Sequence, residues 1–149
     1  MSVESAVKPS LTLTRRFNAP PAKVFAAWTD PEKMKQWMGP GEIVTARAQT
    51  DPRIGGRYRI EMRTPTGEAH NVGGVYREFV ANEKLVFTWA WDATAPEQPY
   101  ESLVTVTFKP DRGGTLLTLT HEQLFDVESR NGHEKGWIGS FDKLEKYVA

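Results

Sequence analysis

The sequence predicts an α+β fold: a curved antiparallel sheet of about six or seven strands closed by one long C-terminal helix. Two short helices are expected after the first strand. Three observations carry this expectation. Between residues 43 and 122 apolar and polar residues largely alternate, the mark of half-buried strands. Short turns separate these segments, and strands joined by short turns pair antiparallel. The last segment instead carries Trp137, Phe141, Leu144 and Val148 at offsets of four, three and four, which is one helical face. A helix over residues 126–148 is about 34 Å long at ~1.5 Å per residue. It cannot bury its stripe on itself. It must lie across the sheet, and a curved sheet closed by one helix encloses a cavity.

Leu11 and Leu13 alternate with Thr12 and Thr14 in a first strand that ends near Phe17. Pro20-Pro21 opens a short helix through Trp28, with Val24, Phe25 and Trp28 on one face; proline is tolerated at a helix start but not inside it. Thr29-Asp30-Pro31-Glu32 restarts a second short helix, expected to run to Trp37-Met38 and to stop at Gly39-Pro40-Gly41. Either Thr29 caps it with Glu32 closing a capping box, or Asp30 caps it with Pro31 at the first helical position.

Residues 43–48 form a short strand. Gly55-Gly56 opens the next, residues 57–63, where Tyr58, Ile60 and Met62 face inward and Arg57, Arg59, Glu61 and Arg63 face water. Pro65-Thr66-Gly67 turns the chain into a long strand, residues 69–80, whose Gly73-Gly74 marks a bulge or bend. Tyr76 and Glu78 share one phase of it and Val75 and Phe79 the other, which leaves the direction of Glu78 open. After a turn at Asn82-Glu83, Leu85, Phe87, Trp89 and Trp91 share a face. Residues 95–99 read as a loop and 103–109 as a strand. A hairpin turn over 111–114 then leads into the last strand, residues 115–122. Residues 1–10 form a tail and 11–149 one domain.

A chain of 149 residues suits a single core, burying about 68–70% of its unfolded surface. Nineteen Lys and Arg balance nineteen Asp and Glu, interspersed and without a basic block, so neither nucleic acid nor an anionic membrane is expected as a partner. Cysteine is absent, which removes disulfides, thiolate metal sites and cysteine nucleophiles. Residues 1–10 lack an apolar signal core and no segment approaches the ~20 apolar residues of a bilayer span, so a cytoplasmic protein is expected.

His121-Glu122 and His133-Glu134 both lack a second histidine four residues after the first, so zinc-protease spacing fails. No metal site is expected from His70, His121 and His133. No nucleophile elbow, Walker loop or dinucleotide glycine pattern occurs, so no cofactor and no catalytic residue is assigned. The five Trp, four Tyr and seven Phe are many for this length, and several fall on inward faces. Such rings fill a core, or line a pocket for a small apolar or aromatic ligand.

The candidate cavity residues follow from strand and helix phase. Trp37 and Met38 should flank one mouth beside the glycine-rich lip; Tyr58, Ile60, Trp89 and Trp91 should line the sheet wall, and Trp137 and Phe141 the helix wall. His121 shares a face with Leu117 and Leu119, which makes it the titratable side chain best placed to reach the cavity end. It either orients a ligand or acts as acid/base near neutral pH, or it bonds to backbone where strand meets helix.

An ordered set of residues carries a family resemblance. It comprises Arg16-Phe17-Asn18-Ala19-Pro20, Val24-Phe25, Trp28-Thr29-Asp30-Pro31-Glu32, Trp37 with Gly39-Pro40, Asp51-Pro52-Arg53 leading to Gly55-Gly56, Leu85-Val86-Phe87-Thr88-Trp89, His121 and Gly136-Trp137. Over roughly residues 11–148 this set resembles the helix-grip superfamily (START-like, Bet v 1-like, SRPBCC), and within it the branch named after the activator of Hsp90 ATPase homologue 1. The resemblance implies an antiparallel sheet gripping the C-terminal helix with a ligand cavity between them. It does not imply one chemistry: members bind lipids, hormones or polyketides, and a few catalyse cyclisation or dehydration. The eukaryotic co-chaperone that lends the name has a separate N-terminal domain supplying much of its chaperone contact. Here only residues 1–10 precede the first strand, so Hsp90 activation is not expected. The expected function is small-molecule binding. The alternatives are a cyclase, dehydratase or hydrolase using the same cavity, and a chaperone-accessory interaction module. An exposed sheet edge leaves room for a homodimer.

Overall fold

The computed structural model describes residues 8–92 and 100–149; the expected loop over 95–99 and most of the N-terminal tail lie outside the described residues. The elements run β1 (Leu11–Phe17), α1 (Pro21–Thr29), α2 (Pro31–Met34), β2 (Val44–Thr50), β3 (Arg57–Arg63), β4 (Ala69–Val80), β5 (Lys84–Trp91), β6 (Glu101–Asp111), β7 (Gly114–Glu122) and α3 (Val127–Val148). The seven strands form one antiparallel sheet in the order β1-β7-β6-β5-β4-β3-β2. β1 and β2 are therefore its two edges, and α1 and α2 carry the chain from one edge to the other.

The sheet curls into a half-barrel, and α3 ties both edges. Arg15 on β1 donates to Asp142 on α3 at 2.8 Å, and Lys143 on α3 donates to the carbonyl of Ile43, just before β2, at 2.8 Å. The apolar stripe expected on the helix is the buried one: Trp137, Phe141, Leu144 and Val148. Asp126 caps α3 by accepting from the Ser129 N–H at 2.8 Å.

Local chemistry settles the alternatives left by the sequence. Asp30 caps α2, its carboxylate accepting from the Glu32 N–H at 3.0 Å with Pro31 following, while Thr29 donates to the Phe25 carbonyl in the last turn of α1. α2 ends at Met34, four residues earlier than expected. Beyond it the chain tightens into turns, and the Trp37 indole N–H is drawn to the Ala27 carbonyl at 2.8 Å. β6 is longer at both ends than expected: Glu101 and Ser102 pair with Ala90 and Trp89 of β5, and at the other end Arg112 and Gly113, both at positive φ, close a two-residue hairpin with β7.

The phase conflict in β4 is real and is resolved by a bulge at Arg77, where the register with β5 shifts. Tyr76 and Phe79 thereby both turn toward the core, and Glu78 turns out to meet Lys84 at 3.1 Å. Gly73-Gly74 instead marks a close approach of backbones. A Cβ on Gly74 would lie 2.0 Å from the Thr88 carbonyl oxygen. Beside it the ladder opens: the Thr88 hydroxyl accepts from the Val75 N–H at 2.8 Å, and the Thr88 carbonyl accepts from the Tyr58 hydroxyl.

Candidate functional site

A pocket of about 390 Å³ lies between β5 and the first half of α3. Trp89 and Trp91 form its sheet wall, Trp137 and His133 its helix wall. Met62 on β3 and His70 on β4 border it, and Met38, Pro40 and Ile43 form a lip. Among the described residues no lysine, arginine, aspartate or glutamate lines it.

The space exists because of what α3 presents there. Ser129, Gly132, Gly136 and Ser140 fall at offsets of three, four and four, so one helical face carries almost no side-chain volume. A Cβ on Gly132 would meet nothing within 4 Å, and one on Gly136 would meet only Pro40 at 4.0 Å. Gly139 differs: a Cβ there would lie 2.6 Å from Pro40 Cβ, so this glycine lets the lip seat on the helix. The lip is fastened as well as seated. Ser140 Oγ accepts from the Gly39 N–H at 3.1 Å, and Thr45 donates to the Met38 carbonyl at 2.7 Å.

Two histidines organise the tryptophans. His133 donates from Nδ1 to the Ser129 carbonyl at 2.7 Å, which leaves Nε2 as an acceptor. That one nitrogen receives the indole N–H groups of Trp91 at 3.0 Å and Trp89 at 3.3 Å. His121, fully buried, accepts from the Trp137 indole at 3.0 Å through Nδ1, so its Nε2–H donates to Ser102 Oγ at 2.7 Å. Ser102 in turn donates to the Trp89 carbonyl at 3.1 Å. Burial pushes the His121 pKa down to about 3, and the nearby His133, 4.9 Å away between ring centroids, adds to the effect. Burial also lowers the His133 pKa, partly opposed by its bond to the Ser129 backbone. Both rings are neutral at pH 7 with both nitrogens engaged. Neither has a free position for proton transfer.

Of the expected cavity residues, Met38, Trp89, Trp91 and Trp137 line the pocket. Tyr58 and Ile60 border a separate inner void of about 10 Å³, together with Trp28, Met38 and Trp89. Trp37, Phe141 and His121 line neither space. Trp37 sits at 1% exposure because the shortened α2 folds its ring back under α1, so it is not at the mouth. Phe141 packs edge-on against Phe17 at 5.8 Å. His121 is bonded by side chains and not by backbone, and the Trp137 indole it receives is the one that lines the pocket.

His133, Met62 and His70 were not among the expected residues. For His133 a signal exists: it lies four residues before Trp137, so the helical stripe extended one turn backward reaches it. Among the described residues no group of three or more His, Asp or Glu could hold a metal ion, and no helix is long and apolar enough to cross a membrane.

The comparisons with known proteins agree with this architecture. The profile of the family described as "Activator of Hsp90 ATPase homolog 1-like protein" matches residues 18–149. The crystal structure of an AHSA1 protein from Silicibacter pomeroyi is 31% identical, with a TM-score of 0.81 over 93% of this chain and 96% of that one. A protein of Chromobacterium violaceum is 28% identical, with a TM-score of 0.81 over 94% of this chain and 97% of that one. For a protein of Rhizobium leguminosarum the identity is 27% and the TM-score 0.78, over 94% and 93% of the two chains. No curated protein matches the sequence. With a profile match over nearly the whole chain and the same half-barrel around α3, the protein belongs to the Activator of Hsp90 ATPase homolog 1-like family, within the helix-grip superfamily.

Proposed function

We propose that this protein binds a small, uncharged apolar or aromatic molecule in the pocket between β5 and α3. One observation carries the reading: three tryptophans and two methionines surround about 390 Å³ that, among the described residues, no acidic or basic side chain other than histidine borders. That volume lies within the ~300–1,000 Å³ typical of small-molecule sites. The neutral, fully engaged histidines favour binding over acid/base catalysis. The absence of cysteine suits a reducing, cytoplasmic setting. The test uses the neutral fluorophore N-phenyl-1-naphthylamine. It should bind saturably at one site, quench tryptophan emission, and be displaced by other apolar rings. Unsaturable binding, or no change in tryptophan emission, would overturn the reading and favour an interaction module.

A further inference from the structure

We infer that the molecule in this pocket carries a hydrogen-bond acceptor at its leading end and presents it to the indole N–H of Trp28. The inference rests on the binding reading above. Trp28 is 3% exposed, and its Nε1 is buried with no hydrogen-bond partner among the described residues. The other four indole N–H groups are taken: Trp37 by the Ala27 carbonyl, Trp89 and Trp91 by His133, Trp137 by His121. A second buried nitrogen without a hydrogen bond, Arg16 Nε, lies 3.2 Å from an Asp111 carboxylate oxygen and is neutralised there. Trp28 is thus the one indole whose donor the fold leaves unassigned, and a buried unpaired donor is disfavoured.

Its position points to the ligand. Trp28 borders the inner void of about 10 Å³, room for about one water-sized group. Its ring stacks on Trp137, 5.7 Å between centroids with planes 25° apart, and Trp137 also lines the pocket. The pocket and the void share Met38 and Trp89 as wall. Met38 is unbranched and flexible, so a rotamer change can join the two spaces without moving backbone. Tyr58 and Tyr76 both border the void, and the Tyr58 hydroxyl is spent on the Thr88 carbonyl. A ketone, ether or ring-nitrogen acceptor on an apolar body would complete Trp28. The histidine bonds to Trp89, Trp91 and Trp137 engage the three indole donors of the outer chamber, so the indole donor left to a ligand lies at this inner end.

The test compares 2-acetylnaphthalene with 2-ethylnaphthalene, which match in size and differ in the acceptor. The ketone should bind the wild-type protein about five- to tenfold tighter, the scale of one net hydrogen bond. In proton–nitrogen spectra the Trp28 indole resonance, assigned through its contacts with the Trp37 and Trp137 rings, should move downfield with the ketone and not with the hydrocarbon. Trp28→Phe should remove the preference; if that variant does not fold, the wild-type spectra decide alone. Equal affinities with an unmoved Trp28 resonance would overturn the inference while leaving the pocket reading intact. Failure of both naphthalenes and of N-phenyl-1-naphthylamine to bind would overturn both.

Discussion

The C-terminal half of α3 presents Phe141, Leu144 and Val148 to the sheet, while its N-terminal half sets Ser129, Gly132 and Gly136 beside His133 and Trp137. The sheet offers rings to both. Where the helix is bulky, the rings close on one another: Phe141 meets Phe17 at 5.8 Å and Trp28 at 6.2 Å, both edge-on. Where the helix is small, Trp89, Trp91 and Trp137 keep a space of about 390 Å³. Interiors normally pack to crystal-like density. The helix therefore decides which half of the molecule is filled and which half is open.

Breaking the filled half should have the largest effect. Phe141, at 1% exposure, anchors it, and Phe141→Ala should cost about 3–5 kcal/mol in a urea titration. A loss below about 1 kcal/mol would mean that the stripe carries no packing. The same variant should leave affinity for N-phenyl-1-naphthylamine within about twofold, because Phe141 does not line the pocket.

The boundary between the halves is held by His121, and His121→Gln should cost about 1–3 kcal/mol at pH 7 through its lost bonds to Ser102 and Trp137. Its pH dependence has a definite sign. The folded pKa of about 3 lies below the ordinary 6.5, so the unfolded chain takes up the proton first as pH falls. Stability is complete above about pH 6.5 and declines as pH falls toward 3, by at most about 1.4 kcal/mol per unit for each such histidine. His133 acts in the same direction. Urea midpoints between pH 7 and 4.5 should fall, and should fall less steeply in His121→Gln. An equal slope in both proteins would remove His121 from this role.

A sharper contrast lies within the open half itself. Gly139→Ala would place a Cβ 2.6 Å from Pro40 and should destabilise by about 1–3 kcal/mol as the lip is pushed away. Gly132→Ala meets open space and should instead stabilise by up to about 1 kcal/mol through helix propensity. Gly132→Leu should keep that stability and weaken fluorophore binding about tenfold by filling the mouth. Identical signs at Gly132 and Gly139 would show that the lip does not seat on the helix.

Much of this comparison is legible along the chain, and some of it is not. Leu85, Phe87, Trp89 and Trp91 on one strand, and Trp137, Phe141 and Leu144 on one helix, follow from period alone. His133 follows from the same helical period once the stripe is extended by one turn. Trp37 does not, because proline and glycine punctuation marks where a helix starts and stops but not that a tertiary bond to Ala27 ends it four residues early. Nor does the direction of Glu78, which depends on a one-residue bulge at Arg77.

Composition, periodicity and turn residues are local properties of the chain, and they suffice for the order of the elements and most of the faces they bury, and they narrow the α2 cap to Thr29 or Asp30. Which tryptophans stand around a void, which histidine nitrogen each indole meets, and whether Phe141 fills space or lines it are properties of pairs of elements brought together in space, 42 and 44 residues apart for His133 with Trp91 and Trp89 and 16 for His121 with Trp137. Those outcomes depend on side-chain volume summed across the sheet and α3. No local pattern encodes that sum, so folding settles it.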